Sequence, residues 1–127
     1  MVRVGIALCS ICFLSSCASP PMIPAAALAD LAPTGKVRVG IMYTNPVTAL
    51  KDPATGQLIG IAVDLARELG RRTTLPVELV GYETAAYMMD GLKSGAWDVA
   101  FTGYDPEQTG ISFAPSYLDT EGTFLVQ

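Results

Sequence analysis

The 127-residue sequence predicts an α/β fold built on an open, mainly parallel sheet. Three observations predict it. Apolar and other residues alternate through KVRVGIM, the signature of a strand with one buried face. Two stretches of helical period, Ile61–Arg72 and Ala85–Lys93, then alternate with two further β-rich segments, VELV and DVAF. The resulting order of strand, helix, strand, helix, strand is that of linked right-handed crossover units, which assemble into open sheets.

Before the fold comes an address. Arg3 is the only charge before Asp30, and VGIALCSICFLSS is an apolar run of signal-peptide length, short for a bilayer span. Leu14-Ser15-Ser16-Cys17 follows it directly and resembles a bacterial lipobox, so residues 1–16 are expected to be a lipoprotein signal peptide and Cys17 the lipidated terminus. The alternative is an ordinary secretory signal cleaved between Ala25 and Ala29. Each buried acyl methylene contributes roughly 0.8 kcal/mol, so two or more chains would hold the protein at a membrane durably. Residues 17–34 are rich in Ala and Pro with a single charge, and read as a tether with room for a short helix over Ala25–Leu31.

From Gly35 the periodicities strengthen. Val37, Val39 and Ile41 alternate with Lys36, Arg38 and Gly40, giving a strand with one face buried. In YTNPVTALKDPATGQLIG the pairs Asn-Pro, Asp-Pro and Thr-Gly mark a long excursion with a turn near Asp52–Gly56. Ile61, Leu65 and Leu69 form the apolar stripe of a helix over Ile61–Arg72, with Asp64 and Glu68 towards solvent and Gly70 and the prolines beyond helping to end it. Val77–Val80 is a second strand between Pro76 and Gly81. Thr84 suits the N-cap of a helix over Ala85–Lys93 whose inner stripe is Ala85, Met88 or Met89, and Leu92. Asp98–Phe101 is a third strand, apolar enough to be central in a parallel sheet.

Composition narrows the function. Without Arg3 the chain carries 7 basic residues against 12 acidic ones, a net charge of about −5. Phosphate backbones need clustered cations, and only Arg71-Arg72 sit side by side, better read as a solvated helix end, so nucleic acid is a poor partner. There is no histidine, and Cys9 and Cys12 lie within the leader, so no Cys/His metal pattern remains after processing and neither metal nor cofactor is expected. No GxxxxGK phosphate loop occurs.

Open α/β sheets bind ligands outside the carboxyl ends of their strands. Here those ends are Met42–Asn45, Gly81–Thr84 and Thr102–Asp105.

Taken together, KVRVGI, GQLIGIAVDLARELG, GLKSGAWDVAFTG and DPEQTGISFAPSYLDTEGTFLV resemble the N-terminal lobe of the family 3 extracytoplasmic solute-binding proteins, which serve polar amino-acid ABC importers. The resemblance covers the chain from Gly35 onward, and its specificity lies in the combined spacing of G-x-x-V-D-L-A, S-G-x-x-D-V and F-x-x-S-Y. It implies a periplasmic-binding-protein-like (type II) lobe over residues 35–127, the second lobe absent from this chain and GTFLVQ leaving as the first hinge strand. It further implies a small amino-acid-like ligand, an ABC permease partner, a monomer, and a place in the periplasm or at the envelope surface through the lipid anchor.

In this family's manner the N–H groups after Thr102 and Gly103 would donate to the ligand, with the Thr102 hydroxyl adding a bond and Gly103 allowing close approach. Tyr43, Asn45 and Tyr104 are candidates for the wall and for specificity; Tyr43 could equally pack on its own loop, and Tyr104 could cap the sheet edge. Asp64 reads as an exposed helix residue. Family members that bind α-amino acids usually carry an arginine in a P-E-R-like turn after the third strand, where this chain has Pro106-Glu107-Gln108. Gln108 offers a neutral hydrogen bond of about 0.5–1.5 kcal/mol in place of a charged one of roughly 1.5–3. Another lobe then supplies the cation, or the ligand is different, or the site has decayed. Glu83, Asp105 and Glu107 could be read as an acid/base group, and family 3 folds include periplasmic enzymes such as cyclohexadienyl dehydratases. No nucleophile or metal set accompanies these carboxylates, so solvated turn residues, a binder rather than an enzyme, are the expectation. A lobe without transport role is the third alternative.

Overall fold

A computed structural model describes residues 22–120. The leader, Cys17 and the proposed hinge strand GTFLVQ lie outside the described residues. The elements run α1 (Ala25–Leu31), β1 (Val37–Met42), β2 (Thr44–Asn45), β3 (Ala49–Lys51), β4 (Leu58–Ile59), α2 (Ile61–Thr73), β5 (Val77–Tyr82), α3 (Ala85–Lys93) and β6 (Val99–Phe101). The main sheet is parallel, in the order β5-β1-β6, with Val37 opposite Val77 and Val39 opposite Val99. The excursion after β1 folds into a small antiparallel sheet, β2-β3-β4, which the turn signals alone did not predict. Its turn is held by the Asp52 carboxylate, which accepts from the amides of Ala54 and Thr55.

Among the described residues β1 is the central strand, and β6, expected to be central, pairs with β1 alone. The physical reason is that both faces of β1 are covered. Val37, Val39 and Ile41 are essentially inaccessible on the face towards the α2 side, and on the other face a Cβ at Gly40 would lie 3.2 Å from the Trp97 ring. Arg38, alternating with the buried Val37 and Val39, enters a clamp with Asp98 at the amino ends of the strands. Its Nε reaches Oδ2 at 3.0 Å, Nη2 reaches Oδ1 at 2.5 Å, Nη1 reaches the Gly95 carbonyl at 2.6 Å, and the Arg38 amide donates to Oδ2 at 2.9 Å. These charge-assisted bonds hold the nearly inaccessible Asp98 carboxyl below the usual carboxylate range.

α2 buries Ala62, Val63, Ala66, Gly70 and Thr73, not the expected stripe of Ile61, Leu65 and Leu69. Small residues face the sheet because the helix sits very close to it: a Cβ at Gly70 would lie 2.6 Å from Val77 Cγ2. Ile61 is exposed and the leucines flank the contact half-buried. Gly70 therefore packs the helix rather than ending it; the end is Thr74, in the left-handed region. At the other end Gly60 has φ 125°, and an added Cβ would come 2.6 Å from the Thr48 carbonyl oxygen, so only glycine fits where the chain turns into α2.

α3 starts as expected, with Thr84 Oγ1 accepting from the Tyr87 amide at 3.2 Å. Its innermost residues are Met88 and Gly91, and Ala85, expected inside, is exposed. Trp97 closes this side of the core, its indole N–H donating to the Met88 carbonyl at 2.8 Å. α1 buries no residue, Leu28 and Leu31 being half-buried, and Leu31 and Ala32 at its end pack against the main core.

Candidate functional site

The carboxyl ends of β1 and β6 open onto two adjoining concavities. The larger, about 1130 Å³, runs along β6 and the segment after it, and reaches Met42, Asn45 and Tyr104. The smaller, about 130 Å³, lies between Ala85 and Met89 of α3 and the turn carrying Asp105 and Gln108. Thr102, Gly103, Ile111 and Phe113 line both, so the turn leaving β6 is the partition between them.

Thr102 and Gly103 are brought together with Asn45 and Tyr104 in the larger concavity and with Gln108 in the smaller. Among the described residues, no carbonyl accepts the N–H of Thr102 or of Gly103. A Cβ at Gly103 would meet nothing within 4 Å, and its backbone is not in the left-handed region. Neither chain geometry nor packing therefore demands glycine there. Tyr104 is 75% exposed and meets Phe113 edge to face at 5.0 Å, while Phe101 meets Tyr117 in the same way at 5.3 Å. Burial raises the Tyr117 hydroxyl above the usual tyrosine range.

Asn45 is partly committed to its own loop, its Oδ1 accepting from the Val47 amide at 3.0 Å. Tyr43 lines neither concavity. Its ring lies against Gly81, where a Cβ would come 3.0 Å from Cδ1, and Lys51 Nζ stands 5.4 Å from the ring centre. The hydroxyl donates to Glu83 Oε1 at 3.2 Å, and burial, then this bond, raises it above the usual range. Tyr43 is a strut between the ends of β1 and β5. Asp64 is exposed on α2 and pairs with Arg67.

Of the carboxylates considered for acid/base work, Glu83 is engaged with Tyr43 and only Asp105 lines a concavity. Asp105 shapes its turn, Oδ1 accepting from the Glu107 amide at 3.0 Å and its carbonyl from the Gln108 amide at 3.2 Å. Sequence reasoning missed Ala85, Met89, Phe101, Phe113 and Tyr117 as lining residues. The F-x-x-S-Y spacing already contained the signal for Phe113 and Tyr117, two aromatics returning after the last strand.

The model of the bacterial extracellular solute-binding proteins, family 3, matches residues 37–127. The chain belongs to this family. No curated protein sequence matches it. Among solved structures, this family 3 lobe is similar to an ancestral cationic amino acid solute-binding protein, AncCDT-1, at 28% identity and TM-score 0.53, covering 64% of this chain and 35% of that one. It is also similar to an ancestral cyclohexadienyl dehydratase, AncCDT-3, at 29% identity and TM-score 0.51, covering 62% of this chain and 32% of that one. Domain 1 from TmArgBP, in an arginine-bound form, shares the fold at 23% identity and TM-score 0.53, with 63% and 62% of the two chains covered. The chain thus spans about a third of the length of the first two. The lobe is a periplasmic-binding-protein-like α/β unit with a mainly parallel sheet, and its family is extracellular.

Proposed function

We propose that this family 3 lobe binds a small polar, amino-acid-like solute at the Thr102–Gly103 turn, without chemistry, for delivery to an ABC permease. Asn45, Tyr104 and Gln108 contribute contacts, with Tyr43 supporting the rim from behind. Cys17 carries a lipid that keeps the protein at the outer face of a membrane as a monomer, residues 17–34 serving as the tether. The observation carrying this reading is the pair of amides at Thr102 and Gly103, unengaged among the described residues and set between two concavities with open space where a Gly103 side chain would stand. Unpaired N–H groups ask for an acceptor, and a glycine that neither strain nor packing requires leaves room for one.

Calorimetric titration against amino acids, amines and small carboxylic acids tests it, with Gly103→Ala as the discriminating variant. The expected result is an unchanged melting temperature with affinity lowered about tenfold or more, one hydrogen-bonding group displaced. Binding unaffected by Gly103→Ala would remove the turn from the site. The likeness to a dehydratase at 29% identity favours a second reading, an enzyme of the same fold. Turnover of prephenate or arogenate, abolished by Asp105→Asn, would establish it.

A further inference from the structure

On the reading that Cys17 carries a lipid, we infer that the stretch from Met22 to Ala27 is a second membrane contact, an apolar foot seated in the headgroup boundary of a bilayer that holds the solute rim pointing away from it. Met22 is 93% exposed, and Ile23, Ala25, Ala26, Ala27 and Ala29 are exposed with it. No charge occurs from Met22 to Ala29. The outer faces of α2 and α3 carry ion pairs instead, Arg67 with Asp64, Arg71 and Arg72 with Glu68, and Lys93 with Asp90, so the uncharged end of α1 stands apart. This end is fixed to the lobe. Leu28 is half-buried, Leu31 and Ala32 pack against the core, the Leu28 amide donates to the Pro24 carbonyl at 3.1 Å and the Gly35 amide to the Ala32 carbonyl at 2.9 Å. The inner side of the helix is spent on the lobe, and its apolar leading end is held outwards.

The chain that precedes this surface names its occupant. Cys17 stands five residues before Met22, and an extended chain covers at most about 3.6 Å per residue, so Met22 lies within about 18 Å of the acylated residue. A tether this short sets an effective concentration in the mM range, so an interfacial affinity too weak to bind alone suffices once the lipid is inserted. The seven residues of α1 are too few to span a bilayer, whereas apolar side chains lying at its boundary seat about 5–10 Å deep. Asp30, exposed in the last turn, is the first charge after Met22 and marks where the contact ends. The placement also orients the lobe. α1 leads through Ala32 and the Gly35 turn into Val37, the amino end of β1, while the Thr102–Gly103 turn stands beyond the carboxyl ends of β1 and β6. The six residues of β1 put about 20 Å between these ends. With the foot on the bilayer, the rim opens to the medium, the side from which solute arrives.

The test uses the processed, acylated protein in vesicles of phosphatidylethanolamine and phosphatidylglycerol, with a nitrobenzoxadiazole label on Ala26→Cys or, at the rim, on Glu107→Cys. With Cys9 and Cys12 removed in the leader and Cys17 acylated, the introduced thiol is the one free to react, and mass spectrometry of the same samples reads the acyl chains. The label at Ala26→Cys is expected to emit to the blue of the label at Glu107→Cys and to be quenched about twofold or more by lipid carrying a nitroxide near its headgroup, the rim label staying unquenched. Adding Met22→Asp should return the first label to water-like emission with melting temperature and acyl mass unchanged, because Met22 is 93% exposed in the lobe itself. About 1 M salt should leave the quenching in place, the contact being apolar. Acylated protein whose two labels are equally unquenched overturns the foot and leaves the lipid anchor standing. A blue-shifted label that the nitroxide lipid does not quench shows that protein, a second copy or the lobe itself, covers the surface, and overturns it as well. A chain without acyl mass overturns anchor and foot together.

Discussion

Replacing Gly70 with alanine sets two opposed effects against each other, and the structure decides between them. In a helix interior alanine is favoured over glycine by about 0.8–1.0 kcal/mol, so an exposed glycine in α2 would be improved by the change. Gly70 is buried, and the new Cβ would stand 2.6 Å from Val77 Cγ2 and 3.0 Å from the Leu75 carbonyl oxygen. Favourable carbon contacts lie at about 3.5–4.0 Å, so roughly an ångström must be found. Val77 cannot readily supply it, since its χ1 is stiff and its strand is registered on the buried Val37. Lifting α2 would unpack Val63 and Ala66, both fully buried. Overpacking of this kind costs about 1–3 kcal/mol, so the net expectation is a loss of about 1 kcal/mol, or a fall of roughly 4–8 °C in melting temperature. Urea denaturation followed by circular dichroism measures it, with Gly70→Ala/Val77→Ala as the second arm. Removing Cγ2 should make the double variant less destabilised than the sum of the singles by about 0.5 kcal/mol or more. A stabilised Gly70→Ala protein, or strict additivity, would refute the close approach of α2 to β5.

Three further outcomes are expected. Met88 is fully buried and its carbonyl receives the Trp97 indole, so Met88→Ala should cost about 2–5 kcal/mol in denaturation and shift the Trp97 fluorescence. Glu68, bonded to Arg71 and Arg72, has its carboxyl lowered to about 2. Because the folded value is depressed, its contribution is complete above the ordinary value near 4.5 and is lost as pH falls from there towards 2; Glu68→Gln should flatten that limb of the stability profile, and added salt should do the same. Cys17→Ala should abolish acylation, read as a mass decrease and transfer from the detergent to the aqueous phase on partitioning.

Much of the fold was legible because it rests on signals that act locally. The Thr84 cap, the α3 boundaries and the Asp52 turn are each set by a side chain bonding to nearby backbone. What the pattern misjudged depends on distances between elements. Ile61, Leu65 and Leu69 look like a core stripe, yet the close approach of α2 to the sheet buries Ala62, Val63, Ala66 and Gly70 and leaves Ile61 exposed and the two leucines half-buried at its flanks. Likewise an alternating strand reads as half-exposed until its polar member, Arg38, is seen to spend its charge on Asp98, sixty residues away. Of the residues the strand-end rule pointed to, Thr102, Gly103, Asn45 and Tyr104 line the larger concavity. It did not distinguish Tyr43, which leaves the same strand end in the other direction, nor find Ala85 and Met89, whose place depends on where α3 docks.

The segments that make the family visible are not the ones that would choose a ligand. In SGAWDV, Gly95 takes a left-handed turn at φ 65° and offers its carbonyl to Arg38, Asp98 completes the clamp, and Trp97 seals the α3 side of the core. In GIAVDLA, Gly60 makes the tight entry to α2, and Ala62, Val63 and Ala66 pack it. These residues are buried or strained, so changing them costs stability. Asp105, Gln108 and Tyr104, by contrast, stand on a turn beyond the sheet that contributes no residue to the buried core. A substitution there is nearly free in folding terms. Substitutions on that turn can therefore reshape the two concavities while the fold and the family segments are kept.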